Sequence, residues 1–399
     1  MLTKVVLKHN KEEALRRFHP WVFSGAIHRF DGKKPVDGDL VEVLSAQQEF
    51  LGVGHYHAGS IAVRVLSFEQ TTINQTFWQQ RLKSALDLRL RMVINPQTNA
   101  YRLIHGEGDR CSGLIIDVYK DVAVFQAHSI GMHRHREDIA AALRQVFQDA
   151  NMPLAGIYDK SLNSLPNQYA KLHCQEGYIW TNGEPTEDFR QVLENGHLFE
   201  VNWKEGQKTG FFLDQRDNRA RLAQHCQGKT VLNTFCYSGG FSIYALKAGA
   251  TKVDSVDASA KAIALVDKNV EINGFTDGRH QSHVADVNTY LKNAETYDIV
   301  ILDPPAYAKT LDKRHQAVQG YKRLNIAGLK AVKPGGLLFT FSCSQVVDVH
   351  LFYQTIVAAG IEAGRNIRVL HHLSQGGDHP VNLFHPESSY LKGLILYVE

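Results

Sequence analysis

Asp303-Pro304-Pro305 closes one apolar run, 297–303, and Cys343 closes the next, 336–342. Runs of this length and composition read as buried strands, so an acid and a thiol fall at neighbouring strand tips. Such a pair suits the addition of sulfur to a pyrimidine ring. Carbon 5 of cytosine is a poor nucleophile because its electrons belong to the aromatic system. A thiolate that adds at carbon 6 turns carbon 5 into an enamine terminus able to take an alkyl group. Cys343 is the expected attacking group; free cysteine titrates at about 8.5, and nearby positive charge or a tuned pocket lowers that value. Asp303, with a pKa raised by burial, is expected to donate to N3 and stabilise the charge that builds up there.

Upstream, the run 230–235 enters a glycine turn at Gly239-Gly240, and a second run ends in Asp257. A glycine turn lets a bound molecule approach the backbone, and a carboxylate about twenty positions later can accept both ribose hydroxyls. A dinucleotide site would place Gly-x-Gly-x-x-Gly here to set pyrophosphate on a helix amino terminus. The chain has Cys236-Tyr-Ser-Gly-Gly240 instead, which disfavours hydride chemistry. S-adenosylmethionine carries no phosphate and needs only room at the turn, a carboxylate for ribose and a polar group at the adenine edge, for which Asp286 is in place. The expected cofactor residues are Phe235, Tyr237, Ser238, Gly239, Asp257, Ala258, Asp286, Asp303 and Pro304. Methyl transfer to carbon follows.

Two other readings stand beside this one. Asp-Pro-Pro followed by an aromatic also serves methylation of exocyclic amino groups, although here Ala306 separates Pro305 from Tyr307. That reaction needs no cysteine, so Cys343→Ser separates the two. A non-catalytic factor that binds RNA during ribosome assembly is the third reading, and failure to bind S-adenosylmethionine would favour it. Pro305 and Tyr307 are expected at the base, with Lys208, Arg216 and His379 as further lining groups; His379 is equally readable as a turn residue before Pro380.

The elements that must position these groups set the wider frame. At 399 residues the chain is too long for one core, and two or three domains are expected. Hydrophobic content of 44% and charged content of 21% are those of an ordinary globular protein, with no membrane-spanning apolar stretch and no apolar signal core, so a cytoplasmic location is expected. The five cysteines are scattered and never spaced Cys-x-x-Cys, and the twenty histidines form no ligand pair, so no disulfide framework and no metal are expected. The net charge of +3 does not by itself announce a nucleic-acid binder. A basic run does follow Asp303: Lys309, Lys313, Arg314, Lys322 and Arg323 against Asp312 alone, either a phosphate-binding surface or a solvated helix face. The oligomeric state is left open between monomer and homodimer.

Residues 1–72 read as a small β barrel or sandwich with strands near 2–8, 39–45, 50–56 and 61–66. Within it His19-Pro-Trp-Val-Phe23 follows Arg16 and Arg17, an aromatic and basic patch able to stack bases, or a core tryptophan. Residues 73–190 read as a middle α+β domain. Its helix 76–92 should bury Phe77, Leu82, Leu86 and Leu90; strands near 101–104, 113–118 and 122–127 and a helix at 136–148 follow. From 191 to 399 strands and helices alternate, with strands expected at 231–235, 253–257, 281–285, 299–302 and 337–341. This is the pattern of a doubly wound α/β domain whose ligands gather at strand carboxyl ends.

Several long motifs carry a family resemblance. Gln207-Lys-Thr-Gly-Phe-Phe-Leu-Asp-Gln-Arg216, Asn233-Thr-Phe-Cys-Tyr-Ser-Gly-Gly-Phe241, Asp303-Pro-Pro, Thr340-Phe-Ser-Cys-Ser344, Asp378-His-Pro380 and Tyr390-Leu-Lys392 resemble the bacterial large-subunit (23S) ribosomal RNA cytosine-5 methyltransferases. His19-Pro-Trp-Val-Phe-Ser-Gly25 is similar to the amino-terminal PUA domain of that family, and Arg102-Leu-Ile-His-Gly-Glu-Gly-Asp109 with Gly113-Leu-Ile-Ile-Asp117 to its middle domain. The resemblance implies a Rossmann-like methyltransferase domain, S-adenosylmethionine as donor, a cytidine of ribosomal RNA as acceptor, 5-methylcytosine as product, and Cys343 as nucleophile. The base would be extruded, because its carbons cannot be sandwiched between thiol and donor inside a stack. Two departures stand out. Another group of RNA cytosine-5 methyltransferases has a second cysteine after its Asp-x-Pro turn, where this chain has Ala306. Ala306-Tyr307 also replaces a Lys-Phe frequent among relatives.

Overall fold

The computed structural model describes residues 2–183 and 187–399. The described residues form two compact units: Met1–Arg190 with Val201–Phe211 and Gly377–Ser388, and Gln191–Glu200 with Phe212–Gly376 and Ser389–Glu399.

The first unit contains two sheets. One has six strands in the order Trp21–Phe23, Ile61–Ser67, Phe50–Tyr56, Leu40–Leu44, Thr3–Leu7, Ile27–Asp31. Its pairings are antiparallel except that of Thr3–Leu7 with Leu40–Leu44. Val5, Leu7, Val22, Val41, Val43, Val63 and Val65 form its core. Trp21–Phe23 and Ile27–Asp31 are absent from the sequence reading: the first has three residues, too few to display a period of two, and in the second, Ile-His-Arg-Phe-Asp, the apolar residues do not alternate. In the aromatic patch, Val22 faces inward at 1% exposure, whereas Trp21 is half-buried with Nε1 donating to Glu107 Oε1 at 2.9 Å, and Phe23 is exposed.

The second sheet runs Gly177–Thr181, Gly156–Asp159, Val122–Ala127, Leu114–Tyr119, Ala100–His105. The helices Gln75–Met92 and Arg136–Asp149 contribute Phe77, Trp78, Leu82, Leu86, Leu143, Val146 and Phe147 to its core. Asn74 begins the first helix by accepting the Phe77 N–H at 3.0 Å, as a good N-cap does. The expected stripe needs one correction. Leu90 is exposed, and the buried position in that turn belongs to Arg89, whose Nε donates to Arg102 O and whose Nη2 donates to Asp109 and to Asp378 O. A helical face advances by three or four residues, and here the step of three, from Leu86 to Arg89, stays on the core side.

In the second unit seven strands lie in the order His280–Val284, Lys252–Asp257, Thr230–Thr234, Tyr297–Leu302, Val332–Ser342, Lys392–Val398, Ile367–Leu373. Five are parallel, and Lys392–Val398 runs antiparallel to both of its neighbours. Val231, Leu232, Val300, Ile301, Leu302, Leu338 and Phe339 are fully buried, the near-continuous apolar character of strands covered on both faces. The sheet grows in opposite directions from Thr230–Thr234 and Tyr297–Leu302, so a switch-point crevice opens at their carboxyl ends. The two carboxyl-terminal strands escape the sequence reading; Ile367–Leu373 is an edge strand with mostly exposed residues and His371-His372 within it.

Candidate active site

The turn after Thr230–Thr234 is held in an unusual backbone conformation. Phe235 (φ 53°), Tyr237 (φ 46°) and Gly239 (φ 75°) all occupy the left-handed region, which non-glycine residues rarely adopt without surrounding support. That support is visible. The Cys236 N–H donates to Val256 O at 3.2 Å, the Gly239 N–H to Cys236 O at 2.8 Å, and the Asn269 amide, fully buried, to Ser238 O at 2.8 Å. A Cβ at Gly239 would sit 2.9 Å from Val266 Cγ1, so glycine is needed for both conformation and space. At Gly240 the obstruction is the Arg219 stem, 2.9 Å away, and Arg219 is itself clamped by Glu194 through two hydrogen bonds of 2.8 Å. Asn269, Arg219 and Glu194 went unnoticed in the sequence, because support from distant elements leaves no local pattern.

Asp257 ends its strand beside this turn. Its Oδ2 accepts the Tyr237 N–H at 3.1 Å and its Oδ1 the Ser259 N–H at 2.9 Å. Each oxygen keeps acceptor capacity beyond these bonds, the chemistry that two ribose hydroxyls require. Ala258 follows, exposed. Asp286 is exposed and caps the helix Val287–Asn293, with Oδ1 accepting the Thr289 N–H at 2.9 Å and its hydroxyl at 3.0 Å. These bonds to Thr289 hold the Asp286 carboxyl below its ordinary value, so it is an acceptor suited to an amino group.

On the other side of the switch point, Leu302 pairs with Thr340, which brings the tips carrying Asp303 and Cys343 side by side. Asp303 and Cys343 are half-buried, Pro304 is buried and Pro305 exposed. One bond ties the Cys343 turn to the loop after Asp303, Ser344 Oγ donating to Ala308 O at 2.6 Å, and within the turn the Ser344 N–H donates to Ser342 Oγ at 3.3 Å. Lys392, only 6% exposed, donates from Nζ to Ser344 O at 2.7 Å. Lys392 had a place in a sequence motif but no role; strand pairing opposite Ser342 supplies its location. Tyr307 is half-buried against Tyr321, ring centroids 4.6 Å apart, and burial pushes its phenol up to about 12.

The remaining cysteines have no such setting. Burial pushes the thiols of Cys111 and Cys226 up to about 12 and raises those of Cys174 and Cys236, as expected for inert packing residues.

Of the expected lining groups, Arg216 opens the helix Arg216–Ala223 in the same unit as Cys343, but at 3% exposure beside Glu194, 3.5 Å away. Lys208 is exposed and belongs to the first unit. So does His379, which is buried with Nδ1 2.9 Å from Asp378 Oδ1 while Asp378 accepts the Arg102 N–H at 3.0 Å.

Among the described residues, one group of metal-ligand type exists: His19, His385 and Glu387, with ligand atoms within 4.8 Å of one another. Nδ1 of His19 accepts the Trp21 N–H at 3.2 Å, which in a neutral ring leaves the proton on Nε2, the atom facing Glu387. That tautomer suits a polar contact rather than a metal bond.

Comparison with known proteins agrees with this geometry. A model of S-adenosylmethionine-dependent methyltransferases matches residues 102–368, and one of PUA-like domains matches residues 5–68. The protein described as ribosomal RNA large subunit methyltransferase I of Alteromonas mediterranea is 39% identical over 100% of this chain and 99% of its own length. Its counterpart from Shewanella denitrificans is 36% identical over the full length of both chains. A solved candidate SAM-dependent methyltransferase from Streptococcus mutans superposes with TM-score 0.84 at 27% identity over all of both chains. A candidate methyltransferase solved in complex with SAH gives the same figures. With S-adenosylmethionine as its cofactor and a PUA-like domain ahead of a Rossmann-like one, the chain belongs to the ribosomal RNA large subunit methyltransferase I family.

Proposed function

We propose that the protein methylates carbon 5 of a cytidine in large-subunit ribosomal RNA through a transient bond between Cys343 and carbon 6 of the base. The observation that carries this reading is the tie between the Cys343 turn and the loop after Asp303, Ser344 Oγ to Ala308 O, which sets a half-buried thiol beside the Asp303-Pro-Pro turn. The ribosomal substrate is taken from the names of the full-length relatives, and a cytoplasmic location goes with it.

Asp257 would hold the cofactor ribose, Asp286 the adenine edge, and the backbone of 235–239 the remainder. Bound there, S-adenosylmethionine supplies an electrophilic methyl group on sulfonium. The residues of the chain do the rest. Cys343, as thiolate, bonds to carbon 6, and the electron pair displaced from the ring is stabilised at N3 by a proton held on Asp303. Carbon 5 is then an enamine terminus and takes the methyl group. Loss of the carbon 5 proton to solvent water restores the ring double bond and expels Cys343 as thiolate, and N3 returns its proton to Asp303. Pro305 and Tyr307, on the loop after Asp303, would flank the extruded base. Exposed Lys309, Lys313, Arg314 and Arg323 would meet the phosphates, whereas Lys322 is engaged with Glu362 at 2.7 Å.

The test is an RNA substrate carrying 5-fluorocytidine. Fluorine cannot leave carbon 5 as a cation, so the enzyme should stall as a denaturant-resistant protein–RNA adduct at Cys343. Turnover of such RNA without an adduct would favour methylation of the amino group.

A further inference from the structure

The thiol turn has a charged neighbour that the reaction above leaves without a task. Lys392 opens the antiparallel strand Lys392–Val398 opposite Ser342, is 6% exposed, and spends one hydrogen bond on the Ser344 carbonyl, one residue beyond Cys343. A buried ammonium is costly, and a neutral donor would serve the carbonyl at lower cost. Its retention calls for a negative partner. Two titratable groups act on it, the Cys343 thiol and the Asp348 carboxylate, which caps the helix Val349–Ala363 by accepting the Leu351 N–H at 2.8 Å; a third, the Tyr321 phenol on the helix Arg314–Ala331, faces Cys343. Burial draws the Lys392 ammonium down to about 8, while Cys343 and Asp348 pull it back toward the charged form. Asp348 is exposed and committed to its helix, and the Tyr321 phenol is raised by burial and stays neutral. Cys343 remains as the group whose ionisation the ammonium can change.

We infer that Lys392 is a positioning residue for the nucleophile: anchored on the Ser344 carbonyl, its ammonium fixes the Cys343 turn and favours the thiolate. This rests on the cysteine reading proposed above and supplies the positive charge that reading needs.

The test is the pH dependence of Cys343 alkylation by iodoacetamide in the full-length protein, followed by peptide mass spectrometry. The wild-type midpoint should lie about one unit below the ~8.5 of free cysteine. Lys392→Met should move it up by about one unit, and Lys392→Arg, charged at every pH used, should restore it. Equal midpoints in wild type and a folded Lys392→Met would overturn the inference. So would a wild-type midpoint at or above that of free cysteine, a result that needs no variant to fold. The two proposals fail separately. A Lys392-dependent midpoint in an enzyme that methylates nitrogen would leave the electrostatic pairing standing and remove the nucleophile; an unshifted midpoint in an enzyme that still forms the fluorocytidine adduct would do the reverse.

Discussion

The Tyr237 N–H reaches Asp257 Oδ2 at 3.1 Å from a backbone position with φ of 46°, so the carboxylate and the left-handed turn hold each other in place. Asp257→Ala should therefore lose both the ribose acceptor and one support of the turn. S-adenosylmethionine binding measured by calorimetry should weaken roughly 30- to 100-fold, about 2–3 kcal/mol for hydrogen bonds to a charged group. Unchanged affinity in a variant with wild-type melting temperature would place the cofactor elsewhere.

His55 sets an acid limit on the first unit. It is 2% exposed, neither ring nitrogen has a hydrogen-bond partner among the described residues, and its ring stacks on His135 with centroids 5.2 Å apart. Burial first, then the charges of His135, Arg134 and Arg64, lower its pKa to about 3 from 6.5. The folded state thus refuses a proton that the unfolded chain accepts below about 6.5. Stability from this group is complete above that pH and is lost progressively as pH falls from 6.5 toward 3, at up to about 1.4 kcal/mol per unit. The melting temperature should decline over that window in wild type and less steeply in His55→Gln. Parallel curves would assign the acid sensitivity to other groups.

The parts of this molecule legible in the sequence are those written locally. Of the five parallel strands, Thr230–Thr234, Tyr297–Leu302 and Val332–Ser342 announce themselves by apolar residues, whereas Lys252–Asp257 and the polar His280–Val284 are legible through their alternation with helices; the residues at the tips, Gly239, Asp257, Asp286, Asp303 and Cys343, could be placed because a strand's end is also its ligand-binding end. What the sequence concealed depends on partners far along the chain. Lys392 reaches the Cys343 turn only through pairing with Ser342 in the reversed strand. Arg89 takes the buried position expected for Leu90 because Asp109 and the Asp378 carbonyl receive its guanidinium. Arg216, expected at the substrate, lies buried beside Glu194, and a charge count gives no warning of such a pairing.

The proposed carbon–sulfur bond between Cys343 and the base is tested most closely by mapping the product. Incubation with large-subunit ribosomal RNA and isotopically labelled S-adenosylmethionine, followed by nucleoside mass spectrometry, should give label in 5-methylcytidine with wild type. Cys343→Ala should give none while still binding the cofactor. Label on an exocyclic nitrogen, or label on carbon 5 that persists in Cys343→Ala, would contradict the account.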